Sequence, residues 1–488
     1  MVNQRTVSRR GFLRIAGAGA FTVALAACAG PGAPSAPAAE TGGEGAAAPS
    51  QEAISLKIQA NEKEESPVVE LFKQEHPGLS VEFFNITGID HEEVASKILS
   101  MVAAGQVLDL GYAATEAAQL YAGQGLSQPL DDYVQAAEAE LQDYFSDVHP
   151  SLVEAFMYEG SLYQLPIDFN AANMYYNTKL FADAGYEHPA EDWTKDDFYE
   201  IAKAITKKDA SGQTETFGYA WTNRLWGSWM PWIFVNGGNI LTEERAPGGE
   251  WLWTKFYAGD PAAEGRGGGW RWLAPQANIP SNVEALTFMK QLTDEGIAPA
   301  IELGGGQTLQ GFFTSDKLGM TPAGGFWSGG LHNTGMEAGR FDVQLFPKWQ
   351  NQRHQFGTGA NFVFTQSQHK DLAWEYSKFR VSKPAMEAHG MFNPVTLTTP
   401  ARRSMNTAER YAQTGPEHWQ VFYDTLDKHP DTAPIPAPPI SNPMTTIFTT
   451  YTSRAMTGEL DPQAALDGMQ KDLEDLYARS GQDMYKTA

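Results

Sequence analysis

Two short alternating stretches with a helical pattern between them constrain this chain most. Ile54, Leu56 and Ile58 alternate with polar residues, as do Leu79, Val81 and Phe83, and residues 68–75 between them carry a helical pattern. A strand, helix and strand in that order form a right-handed crossover, so the spacing predicts a parallel sheet with helices packed on it. Asp90 and Glu93 are placed to cap a further helix whose apolar face is Val94, Ile98 and Val102 and which Gly105 ends. Leu108 to Tyr112 then reads as a third, mostly buried strand.

The α/β alternation continues through the chain. Thr194 and Asp197 form a capping-box pair flanked by Trp193 and Phe198, ahead of a buried face of Phe198, Ile201, Ala202 and Ile205. Further helices are expected on Val283, Leu286, Met289 and Leu292, and on Leu372, Ala373, Tyr376 and Phe379. At the end, Asp461 and Pro462 start a helix carrying Leu466, Met469, Leu473 and Leu476. Residues 242–282 hold Trp251/Trp253 and Trp270/Trp272 amid Gly and Pro, and read as an inserted loop or hairpin. No internal repeat is found.

Residues 1–28 read differently. Arg5, Arg9, Arg10 and Arg14 precede a thirteen-residue apolar run, Ile15 to Ala27, too short for a stable membrane span and suited to a signal segment. Ser8 to Arg14 (SRRGFLR) resembles the twin-arginine export signature. Leu25-Ala26-Ala27-Cys28 resembles a lipobox, which implies that Cys28 sulfur takes a lipid and tethers the chain outside the membrane. Residues 28–50, rich in Ala, Gly, Pro and Ser, read as a flexible linker. Removing residues 1–27 takes away four arginines and no acid, which moves the formal charge from −24 to −28. So acidic a surface repels phosphate backbones and argues against nucleic-acid binding. Cys28 is the single cysteine, so neither disulfides nor thiolate metal sites support the fold.

Five ordered blocks then carry a resemblance. They are Tyr158 to Pro166 (YEGSLYQLP) running on to Asp168-Phe169-Asn170; Met174 to Phe181 (MYYNTKLF) with Pro189 and Asp192-Trp193-Thr194; Phe288-Met289-Lys290 with Gly296 to Pro299; Phe312 to Met320 with Gly325-Phe326-Trp327; and Phe341-Asp342-Val343 with Lys370 to Tyr376. Together they resemble the extracellular solute-binding proteins of ABC importers, in particular the sugar-binding family related to maltose-binding protein. The resemblance implies a periplasmic-binding-protein-like α/β fold: two lobes joined by a hinge, with a ligand cleft between them. It places residues 51–164 and 355–400 in lobe one, and 165–354 and 401–488 in lobe two. It also implies a monomer that takes a sugar or oligosaccharide, delivers it to a membrane permease, is no enzyme and holds no cofactor.

Sugars offer flat C–H faces and a rim of hydroxyls, so a site needs aromatic rings and short polar groups. By resemblance, Trp327 with Phe326 is the stacking position of lobe two, and Asp168 and Asn170 face the cleft from the hinge. Asn61 and Glu62 follow the first strand, and Thr115 and Glu116 the third, at the edge where open α/β sheets bind ligands. Ala113-Ala114-Thr115 stands where the maltose-type pattern has an aromatic, so the cargo need not be a maltodextrin. Of Trp221, Trp226, Trp229 and Trp232, Trp226 and Trp229 are expected at the cleft, and Asn393 near the hinge. His332, His354, His369 and His389 have no metal-ligand spacing. Two other readings stay open: the same fold holding a peptide, polyamine or metal complex, or a secreted glycoside hydrolase using two of Glu62, Glu116 and Asp168.

Overall fold

The computed structural model describes residues 54–88, 90–300, 303–392, 398–480 and 485. The export and linker readings, Cys28 and Asn393 lie outside the described residues.

The expected crossover is present. Strand Ser55–Ile58 pairs in parallel with Ser80–Phe83, Ser55 opposite Ser80 and Ile58 opposite Phe83. Leu110–Ala114 joins its other side in parallel, and Gly359–Val363 closes the sheet antiparallel to Leu110–Ala114. The connecting helix is Glu62–Phe72, starting six residues earlier than the apolar pattern suggested. Asn61 caps it by accepting from Lys63 N at 3.1 Å, and Glu62, Glu64 and Glu65 fill its first turn. Those charges complement the positive end of the helix dipole, so the charged stretch is helix rather than loop.

A second sheet orders Phe341–Gln344, Asn173–Asn177, Leu318–Ala323, Thr214–Tyr219 and Lys207–Lys208. Helix Lys195–Ile205 packs on it with the expected capping box of Thr194 and Asp197, and Trp193 meets Phe198 edge to face at 6.2 Å. Between the two sheets lie three short crossing strands, with Gln355–Gly357 antiparallel to Asn170–Ala171 and parallel to Ala433–Pro434. Asn170–Ala171 leads into the second sheet and Gln355–Gly357 leads back into the first.

The tryptophan-rich insertion is a hairpin, Leu241–Arg245 with Trp270–Pro275, carrying helix Glu250–Phe256. Its base is buried with the second sheet's core, where Tyr477 OH donates to Trp272 O at 3.0 Å. Its tip packs elsewhere: Phe256 lies 4.1 Å from Phe145, and Tyr257 OH donates to Val148 O. Phe256 and Tyr257, grouped by sequence with the second lobe, therefore pack on Phe145 and Val148, which the sequence groups with the first. Gly268 permits this seat, since a Cβ there would come within 2.5 Å of Gly160 Cα.

Candidate functional site

A cavity of about 370 Å³ opens where the carboxyl ends of the first sheet's strands face the second sheet across the crossing strands. This is the edge at which open α/β sheets bind ligands. Tyr112, Ala114 and Glu116 reach it from the third strand and the helix after it, and Asp90 and His91 from the start of helix His91–Ala103. Asp168, Asn170 and Gly357 to Gly359 line its floor, and Arg224, Trp226 and Phe326 form the opposite wall.

Asp168 organises the floor. Its Oδ2 accepts from Tyr112 OH at 2.8 Å, and its Oδ1 accepts from Gly359 N at 2.8 Å and from Asn170 Nδ2 at 3.4 Å. Burial pushes the Asp168 carboxyl up, against the pull of the Tyr112 and Gly359 bonds. Burial and the adjoining carboxylate also push the Tyr112 phenol up, which keeps it a donor. The arrangement needs glycine at 359, where a Cβ would stand 1.8 Å from Tyr112 OH.

A break in regular helix sets the aromatic wall. Within Leu225–Trp229, Trp226 is extended (φ −66°, ψ 129°) and Gly227 is left-handed (φ 72°), and Gly227 N donates to Gln355 Oε1 at 2.7 Å. Trp226 is thereby turned onto the cavity, 5.9 Å from Phe326, with the Arg224 guanidinium 5.1 Å from its ring centre.

The residues singled out from sequence divide into two groups. Glu116, Asp168, Asn170, Trp226 and Phe326 come together around the cavity. Trp327 is 3% exposed and packs edge-on against Tyr175 and Phe313, so it belongs to the core. Successive helix residues point about 100° apart, and helix Phe326–Asn333 gives the cavity to Phe326 alone. Trp229 is buried against Trp221 and Phe448, with its Nε1 donating to Asn223 Oδ1. Thr115 is buried and donates to Glu116 Oε2 at 3.1 Å. Glu62 is exposed on its helix. Asn61 lines a smaller adjoining cavity of about 170 Å³ with Gln59, Glu65, Arg380 and His389. There burial opposes ionisation of Glu65, but Arg380, His389 and Tyr376 outweigh it and hold the carboxyl down at about 2. Tyr112, His91 and Arg224 line the main cavity without having been singled out.

His188, Asp342 and His418 also gather, with ligand-type atoms within 4.8 Å of one another. His188 already meets Tyr176 OH at 2.7 Å and Gln344 Nε2 at 3.0 Å, while His418 Nδ1 lies 2.5 Å from Asp342. Both nitrogens of His188 are thus engaged, and the cluster ties the segment around His418 to the second sheet.

Glu92, next to His91 on the same helix, has its carboxyl pushed up from the ordinary 4.5 to about 7 by burial and by Glu116 and Asp90. Between those values the folded state holds a proton that the unfolded state has lost, so stability falls as pH rises through the window. Glu92→Gln is expected to raise stability at pH 8 by on the order of 2–3 kcal/mol and to leave it unchanged at pH 4. Urea midpoints at the two pH values check this; an equal gain at both would show that the carboxyl is not the cause.

Similar proteins share this architecture. A substrate-binding protein of Listeria monocytogenes, solved with cycloalternan, superposes with TM-score 0.67 at 18% identity, over 87% of this chain and 98% of that one. One of Thermotoga lettingae bound to α-D-tagatose gives 0.67 at 18% identity, over 87% of this chain and 99% of that one. One of Agrobacterium radiobacter with ribitol gives 0.66 at 22% identity, over 87% and 98%. The two-lobed, periplasmic-binding-protein-like fold is therefore the fold of this chain. The family model described as bacterial extracellular solute-binding protein matches residues 68–417, and the chain belongs to that family.

Proposed function

We propose that this protein is the receptor of an ABC importer, that it closes as a monomer on a sugar or sugar-like polyol in the cavity between its sheets, and that it catalyses no reaction on it. The observation that carries the reading is the pairing of two aromatic rings, Trp226 and Phe326, with polar groups that face them from the first sheet and the crossing strands. Rings take the C–H face of a pyranose, and Asp168, Asn170 and Glu116 take its hydroxyls. The sugar and polyol ligands of the solved relatives support the same class of cargo.

Ligand touches both lobes only when they are closed, so binding favours the closed state and presents it to a permease. On this reading Cys28 carries the lipid anchor and residues 28–50 are the leash; no helix of the described residues is long and apolar enough to cross a membrane. The hydrolase alternative loses one of its carboxylates, since Glu62 is not among the residues lining the cavity.

A thermal-shift panel of mono- and oligosaccharides and polyols is expected to show stabilisation by at least one of them. Phe326 is 37% exposed, so Phe326→Ala should weaken that ligand about tenfold while changing stability by no more than about 0.5 kcal/mol. A response only to peptides or polyamines, or release of product from chromogenic glycosides, would overturn the reading.

A further inference from the structure

Among the described residues three carboxylates line the cavity, and they are not equally occupied. Asp90 caps its helix by accepting from Glu93 N at 2.8 Å. Asp168 accepts from Tyr112, Gly359 and Asn170. Glu116 is 7% exposed, yet among the described residues its single donor is Thr115 Oγ1, on Oε2. The other oxygen is left for whatever enters the cavity that Glu116 lines.

The surroundings sharpen this. After burial, Glu116 and Asp90 push the Glu92 carboxyl up to about 7, against the pull of Arg224. Among the described residues, the permanent positive charge lining the cavity is that of Arg224, whose guanidinium lies over the Trp226 ring. Carboxylates therefore outnumber, among the described residues, the permanent cation that lines the cavity.

Resting on the sugar reading above, we propose that the cargo is an amino sugar whose ammonium group is received by Glu116, with its ring against Phe326 and Trp226. An ammonium brings three donors and a full charge, where a hydroxyl brings one donor and none. It satisfies the open oxygen of Glu116 and relieves the repulsion between Glu116, Asp90 and Glu92. Glu116 is thus the residue that selects charged over neutral sugars.

The test is calorimetric titration of the full chain at pH 6.5 and low salt with matched sets. These are glucosamine, N-acetylglucosamine and glucose; the corresponding galactose and mannose sets; and the β-1,4-linked glucosamine disaccharide with its N-acetylated form. At least one amino sugar is expected to bind about tenfold or more tightly than its neutral counterparts. Glu116→Gln should bring that ratio to within about twofold, whatever it does to the affinity for neutral sugars. Glu116→Asp, which keeps the charge, should keep the preference. Neutral sugars binding as tightly as the amino forms, or an undiminished preference in Glu116→Gln, overturns the proposal and leaves the sugar reading standing. Silence across every sugar, with or without a response to spermidine or peptides, overturns the sugar reading and this proposal with it.

Discussion

Trp327→Ala is expected to cost about 3–5 kcal/mol of folding stability, as a buried aromatic cut back to Ala does elsewhere. The indole is 3% exposed and is held edge-on between Tyr175, at 5.6 Å, and Phe313, at 5.5 Å. Tyr175 is itself fixed, its OH donating to Gly324 O at 2.9 Å and lying 3.2 Å from Ser328 Oγ. Neither neighbour is free to collapse into the hole, so the cavity term adds to the lost transfer energy. Denaturant unfolding followed by tryptophan fluorescence measures the loss. Ligand affinity of the folded fraction should change by less than about threefold, in contrast to Phe326→Ala. A variant that keeps its stability and loses its ligand would place the indole in the cleft after all.

That contrast shows where sequence stops being informative. Gly325-Phe326-Trp327 announces an aromatic at the cleft, but which of the two rings faces it depends on the phase at which helix Phe326–Asn333 begins. Backbone at a helix start is set by what it packs on, and a one-residue change of phase exchanges the rings. Trp226 and Arg224 depend in the same way on the left-handed Gly227, a local break no periodicity reveals. What is local was legible: the crossover of Ser55–Ile58 with Ser80–Phe83, the Thr194/Asp197 box, and Glu116 after the third strand, whereas Asp168 and Asn170 came through the family resemblance. What depends on distant partners was not. Glu65 stands among the charged residues Glu62, Lys63 and Glu64, yet it is buried, meeting Arg380 and His389 from far along the chain.

The seat of the insertion is the other such case, and Glu154→Ala should expose it. Glu154 is fully buried, and its two oxygens serve three groups of the inserted segment. Oε2 accepts from Arg266 Nη1 at 2.7 Å, while Oε1 accepts from Gly267 N at 3.0 Å and lies 2.8 Å from Arg245 Nε. Arg266 is 7% exposed in its side chain, and Arg245 lies 3.2 Å from the centre of the Trp270 ring. Removing the carboxylate leaves the buried Arg266 guanidinium without its anion, and the expected loss is about 3–5 kcal/mol, the range for breaking one side of a buried pair. The Lys255–Glu138 contact at the same interface is 54% and 40% exposed, so Glu138→Ala should cost no more than about 1 kcal/mol. Urea unfolding of the two variants separates these effects. Adding Arg266→Met to Glu154→Ala should recover part of the loss, because the penalty is chiefly an uncompensated charge rather than a missing attraction. If the double variant is instead less stable than Glu154→Ala, then Arg266 holds the tip mainly through Ser151 Oγ and Ala262 O, and Glu154 is the lesser part of the seat.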